Sequence, residues 1–234
     1  MREARRPDGR RAGYYQERLG AERLRRCYEL APRRVRQCLR AETNFVLEKI
    51  RPGDAVLDLG CGYGRTMRDW ARKAGLVVGV DLSRSSLQLG RSYLHGAGKC
   101  LLAEMDAARP AFLDGTFDVV ACIQNGISAF KRDPLRLLKE SLRVTRRNGS
   151  VFISTYAEEF WDHRLEWFRR QAGEGLLGEI DEDRTGNGVI VCRDGFRAST
   201  FTEADFRRLA SRLRVGVEIK EVDRSSLFCI LKKA

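Results

Sequence analysis

The chain has 234 residues, 43% of them hydrophobic, enough for one domain of ordinary size with an elaboration and a sizeable core. No apolar run approaches the ~20 residues that cross a bilayer, and the basic start "MREARRPDGRR" is not followed by the apolar stretch of an export signal, so a cytoplasmic protein without a membrane partner is expected. The net charge of +12 raises a nucleic-acid partner, but the 44 basic residues are interleaved with 32 acidic ones and no nucleic-acid-binding motif accompanies them, which favours solvated helix faces.

Residues 1–13 are polar and unpatterned and read as a disordered basic tail. Residues 14–50 read as an N-terminal helical cap of two helices, broken near "LAPRR", where Pro32 suits a first helical turn. Short β-rich runs then alternate with helices. Strands are expected at 55–59, 76–80, 100–103, 117–123 and 150–156, and helices at 66–74, 83–95 and 134–144. This order indicates parallel crossover units and a doubly wound α/β sheet with helices on both faces. Residues 157–200 break the alternation with an aromatic-rich amphipathic helix, a glycine-interrupted acidic segment and a hairpin near 189–192 and 196–200. They read as a lid-like insertion. A helix at 203–213 and strands at 215–222 and 226–231 follow. The tight turn between these two strands requires an antiparallel pair, so the mostly parallel sheet ends in a C-terminal antiparallel hairpin.

The seven cysteines stand singly, with no C-x-x-C pair and only two histidines beside them. That spacing fits neither a zinc site nor a disulfide framework, and no metal is expected. The chemistry concentrates instead in "VLDLGCGYGRTMRDWA", residues 56–71. An apolar strand runs into Gly60, Gly62 and Gly64, and a helix follows. Glycines at such a junction let the backbone turn sharply and let a ligand approach main-chain atoms. The dinucleotide fingerprint would need its third glycine at position 65, where Arg65 stands, and no Gly-Lys-Ser/Thr ending marks a phosphate loop. The ligand is therefore not held by a pyrophosphate.

Together with "VVGVDLS", "AEMDA" and "FDVVACIQNGISAF", this order of elements resembles the class I S-adenosylmethionine-dependent methyltransferases, over about residues 40–156 and 200–232. The resemblance implies a seven-stranded Rossmann-like sheet and S-adenosylmethionine as cofactor, with S-adenosylhomocysteine as product. It places Asp58, Gly60, Cys61, Gly62 and Gly64 under the methionine part, with Asp58 accepting from the ammonium group. Asp81 would take the ribose hydroxyls, Leu82 flank the adenine, and Asp106 accept from the adenine amino group between Met105 and Ala107. Ile123 and Gln124 would border the reacting sulfur. Taken singly, the glycines are also a structural turn, Asp81 a helix cap before Ser83, and Asp106 a loop cap. Their joint occurrence at successive strand ends favours the cofactor.

The run "CIQNGISAF" is similar to the turn of glycine N-methyltransferase and related small-molecule N-methyltransferases. Asn125 stands on the shared asparagine and Ala129 where that family has a histidine. It lacks the proline-containing turn of enzymes that methylate nucleobase amines. The expected acceptor is a small molecule, with N-methylation ahead of O- or S-methylation. An RNA methyltransferase and a non-catalytic cofactor-binding protein of the same fold are the alternatives. Candidate catalytic residues are Asn125, Tyr15 on the N-terminal segment and His163 in the insertion, the last a base near neutral pH or a surface residue. The sequence leaves the oligomeric state open.

Overall fold

The computed structural model describes residues 13–131 and 133–233. All of the expected basic tail except Gly13 lies outside the described residues.

The N-terminal segment forms three helices: α1 (Tyr14–Glu17), α2 (Ala21–Glu29) and α3 (Arg33–Lys49). Two were expected. The additional break falls at Gly20, which packs so closely on the Ser83 and Ser85 hydroxyls that a Cβ there would stand 2.7 and 2.9 Å from them. A tertiary contact thus divides what local pattern reads as one helix.

The alternating region follows as β1 (Ala55–Leu59), α4 (Arg65–Trp70), β2 (Leu76–Asp81), α5 (Arg84–Tyr93), β3 (Cys100–Glu104), β4 (Phe117–Cys122), α6 (Gly126–Ala129), α7 (Pro134–Val144) and β5 (Thr145–Tyr156). Helix α7 starts on Asp133, whose side chain accepts from the Leu135 N–H, with Pro134 in the first turn. Strand β5 begins five residues earlier than expected. Its first residue pairs with Phe117, and the register shifts before Val119 pairs with Ser150. Next come α8 (Trp161–Gly173), the short pair β6 (Ile190–Val191) and β7 (Arg197–Ala198), then α9 (Glu203–Leu213), β8 (Val217–Val222) and β9 (Ser226–Lys232).

The seven-stranded sheet has the order β3-β2-β1-β4-β5-β9-β8. The first five strands are parallel, β9 runs antiparallel to β5, and β8 antiparallel to β9. Central strands are buried on both faces and read as continuous apolar runs, whereas the edge strands β3 and β8 have no fully buried residue. One face packs Leu57, Val120 and Ile153 against Leu137 of α7 and Phe206 of α9. The other packs Val56 and Val119 against Phe45 of α3, Trp70 of α4 and Leu87 of α5. Trp70 is fully buried and donates its indole N–H to the Thr43 carbonyl at 3.0 Å.

A third apolar cluster stands off the sheet. It joins Leu19, Cys27, Val35 and Leu39 of the N-terminal segment to Phe160, Trp167, Phe168, Ile190 and Phe196 of residues 157–200. The Trp167 indole N–H donates to the Cys27 carbonyl at 2.8 Å. The two ends of the unit are thus about 140 residues apart in sequence and share one core. The seven cysteines are free thiols, six of them buried. No helix among the described residues is long and apolar enough to cross a membrane.

Candidate functional site

Between β1 and β4 the strand order reverses, and the carboxyl ends of the strands there open on a cavity. This is the position at which open α/β sheets bind ligands. Its floor is the glycine turn. The Gly60 and Cys61 N–H groups both donate to the Val80 carbonyl, at 2.8 and 3.1 Å, folding the turn back over β2. Gly60 and Gly62 have φ of +79° and +55°. A Cβ on Gly60 would stand 2.6 Å from the Phe130 ring, and one on Gly62 2.9 Å from the Leu24 methyl. Both the backbone conformation and the close approach require glycine. Gly64 is different: it opens α4 and packs on Leu94, off the cavity wall.

Three carboxylates face the cavity. Asp58 is buried, and Thr66 Oγ1 donates to its Oδ2 at 2.5 Å. Burial pushes its carboxyl up to about 7, against the opposing effects of the Thr66 hydrogen bond and the Arg65 charge. Asp81 closes β2 and accepts the Ser83 N–H on Oδ1 at 2.7 Å and the Gly62 N–H on Oδ2 at 2.9 Å. It therefore clamps the glycine turn to the end of β2. Burial raises its carboxyl above the usual range, and these backbone hydrogen bonds act against that rise. Asp106 accepts the Ala108 N–H at 3.0 Å. The Met105 N–H donates to the Asp81 carbonyl, so Leu82, Met105, Asp106 and Ala107 form one continuous wall.

Ile123 and Gln124 line the cavity beyond β4. Gln124 and Asn125 both take left-handed backbone conformations, φ +56° and +60°, costly for residues with a Cβ and sustained only where the surroundings over-determine them. Here they do. The Gln124 N–H donates to Glu42 Oε2 and to Ser154 Oγ, each at 2.8 Å, and Gln124 Oε1 accepts from Tyr28 Oη at 3.2 Å. Asn125 donates from Nδ2 to the Ser199 carbonyl and accepts on Oδ1 from Thr155 Oγ1, both at 2.9 Å.

The Asn125 side chain is therefore engaged in tying the insertion to β5, and it does not reach the cavity wall. Tyr15 does line the cavity, its ring edge-on to Phe196 and its hydroxyl pKa raised by burial. His163 lies exposed on α8, its ring 5.4 Å from that of Phe160, away from the cavity. The structure thus brings together Tyr15 and every expected cofactor residue except Gly64, and leaves Asn125 and His163 outside.

Sequence reasoning passed over Arg65, Tyr28 and Glu42. Arg65 lies over the Tyr28 ring, 4.9 Å from its centroid, on the cavity wall. Its Nε and Nη2 are buried and have no hydrogen-bond partner among the described residues. Its place immediately after the glycine turn is the signal that could have found it. Glu42 is fully buried with Oε1 unpartnered, and burial pushes its carboxyl up to about 6. No local pattern marks it, because its role depends on β4, which lies 80 residues on. The cavity is therefore lined by three acids and by Arg65.

Residues 56–149 match a family model described as a methyltransferase domain. The ubiquinone biosynthesis O-methyltransferase of Vibrio campbellii is 34% identical over 119 residues, 48% of this chain and 48% of that protein. The enzyme of the same name from Thiobacillus denitrificans is 34% identical over 105 residues, 44% of each. The chain spans about half the length of these curated relatives. Among solved structures, magnesium protoporphyrin IX methyltransferase of Synechocystis PCC 6803 with bound S-adenosylhomocysteine superposes with a TM-score of 0.64 at 18% identity, covering 94% of this chain and 97% of that one. A S-adenosylmethionine-dependent methyltransferase of Methanosarcina mazei gives 0.61 at 21% identity, covering 81% and 96%. The seven-stranded, mostly parallel sheet with its antiparallel end is the class I methyltransferase fold.

Proposed function

We propose, from the class I methyltransferase fold of this chain and the cavity at its switch point, that the protein binds S-adenosylmethionine and transfers its methyl group to a small-molecule acceptor. The observation that carries the reading is the meeting, in one cavity, of Asp58, Asp81 and Arg65, with the Arg65 charge acting on the Asp58 carboxyl. An amino-acid headgroup is a zwitterion. Asp58, once ionised, accepts from its ammonium, and the Arg65 guanidinium on the same wall attracts its carboxylate. Asp81 keeps lone pairs beyond its two backbone hydrogen bonds for a pair of ribose hydroxyls, the arrangement dinucleotide folds use, and Asp106 stands where an exocyclic amine would donate.

When bound, the sulfonium supplies an already activated methyl group. What the chain supplies is position and exclusion of water. Held at near-attack distance, an acceptor gains on the order of 7–11 kcal/mol without a covalent step. The rim around Gln124, Tyr28 and Tyr15 is where the acceptor would sit, under a cap made by the N-terminal helices and residues 157–200. Oxygen is favoured as the acceptor atom, since the curated relatives are named as O-methyltransferases. The case for nitrogen rests on the Asn125 turn, and that side chain is taken up by Ser199 and Thr155.

Calorimetric titration with S-adenosylmethionine, S-adenosylhomocysteine and NAD tests the reading. Saturable binding of the first two is expected, with none of NAD. Binding of NAD alone, or of none of them, would remove it.

A further inference from the structure

Gly13 and Tyr15 of residues 13–20 line the cavity, as does Leu24 a few residues on. Among the described residues, every backbone-to-backbone hydrogen bond of this stretch stays within it. Side chains alone tie it to its surroundings. On one side Gln16 Nε2 donates to the Leu82 carbonyl at 2.9 Å, and the Ala21 N–H to Ser86 Oγ at 2.8 Å, both on the cavity rim. On the other, Tyr14 Oη donates to Asp194 Oδ2 at 2.6 Å, and Arg18 Nη1 meets the same oxygen at 3.2 Å. Asp194 sits in the turn of the insertion's hairpin, where its Oδ1 accepts the Phe196 N–H. The Tyr14 ring packs edge-on against Phe196, 5.0 Å between centroids. A segment held only by side chains belongs to the low-stability end of a fold, where local opening occurs without global unfolding.

We propose that residues 13–20 are a strap that must open for ligands to enter or leave the cavity, and that Asp194 is the positioning residue that latches it through Tyr14 and Arg18. The strap covers the cavity whatever the ligand, so the proposal goes beyond the cofactor reading and does not depend on it. Opening costs the Tyr14 and Arg18 contacts to Asp194, the Gln16 hydrogen bond to Leu82, and the packing of Tyr14, Tyr15 and Leu19 on the third cluster. The covering core of Trp167, Phe168 and Ile190 stays in place.

The test is limited trypsin cleavage of the ligand-free protein after Arg18, the one tryptic bond within residues 13–20. It compares wild type, Tyr14→Phe, Asp194→Asn, Asp194→Ala and the Tyr14→Phe/Asp194→Ala double variant. When opening is fast relative to cleavage, the rate reports the open population. Asp194→Ala should speed cleavage at this bond roughly 5–30-fold. The double variant should be no faster than Asp194→Ala, since both changes remove one contact, and Asp194→Asn, which keeps an acceptor for Tyr14, should recover part of the loss. S-adenosylhomocysteine should leave the loaded Asp194→Ala protein faster by a similar factor. Unchanged cleavage after Arg18, or an equal rise at every tryptic site, would overturn the latch. Failure of wild type to bind S-adenosylhomocysteine would remove the cofactor reading and leave the cleavage result standing.

Discussion

The floor and the roof of the cavity are built by opposite means. The floor comes from four short stretches, 58–63, 81–82, 105–107 and 123–124, each at the carboxyl end of a strand or just after it. Backbone N–H groups fix it, through Val80 and Asp81. The roof joins residues 13–28 to residues 157–200 through aromatic packing and side-chain hydrogen bonds. A floor held by main chain places charges to within a fraction of an ångström and tolerates few side chains. A roof held by side chains can open, and can change its lining without disturbing the charges below. Fixed chemistry and variable access are thereby separated in space.

The comparison is sharpened most by removing a floor carboxylate. Asp81→Ala should lower affinity for S-adenosylmethionine about 100-fold, because hydrogen bonds to a charged group contribute ~1.5–3 kcal/mol each and the Gly62 clamp is lost with them. Calorimetry of the variant beside wild type measures it, and an affinity within a few-fold of wild type would mean that the floor is not where the ligand is held.

A smaller effect comes from pH. The Asp58 carboxyl lies at about 7 in the folded protein and at about 3.9 in an unfolded chain. The folded state therefore binds this proton more tightly, and its contribution to stability, full below about pH 3.9, is lost as pH rises toward 7. Ligand binding works in the opposite direction, since only the carboxylate accepts an ammonium. Affinity for S-adenosylmethionine should rise by up to about tenfold per pH unit below 7 and level off above it. Titrations between about pH 5.5 and 8 read the slope, and Asp58→Asn should bind weakly with no slope.

The same division governs what the sequence disclosed. Strand-turn-helix signals are local, so the floor was readable: Asp58, the Gly60 and Gly62 turn, Asp81, Asp106 and Gln124 all lie on one cavity. Gly64 carries the same signal but serves helix packing against Leu94, a distinction set by a residue 30 positions away. Asn125 carries a signal that turn-forming and reacting asparagines share in sequence. Its partners Ser199 and Thr155 come from the insertion and β5. Tyr28, Glu42 and the Tyr14–Asp194 contact are pairings across 80 to 180 residues, which periodicity does not encode. The aromatic stripe of residues 156–168 was legible as an amphipathic helix, but not its partner, the N-terminal segment.

The smallest effect isolates the roof. Trp167 is nearly buried on α8, and its indole N–H satisfies the Cys27 carbonyl of α2. Trp167→Phe keeps an aromatic ring in the third cluster and removes that hydrogen bond, at a cost of about 1 kcal/mol, or roughly 2–4 °C in Tm for a chain of this size. Trp167 meets the cavity through the Tyr28 ring, 6.2 Å away, whose hydroxyl donates to Gln124, and an aromatic ring at 167 keeps that packing, so affinity for S-adenosylmethionine should stay within about threefold of wild type. A melting curve and a titration on the same sample decide it. A fall in affinity as large as that of Asp81→Ala would mean that the roof sets the floor's geometry, and that α2 carries strain from the insertion down to Tyr28 and Gln124.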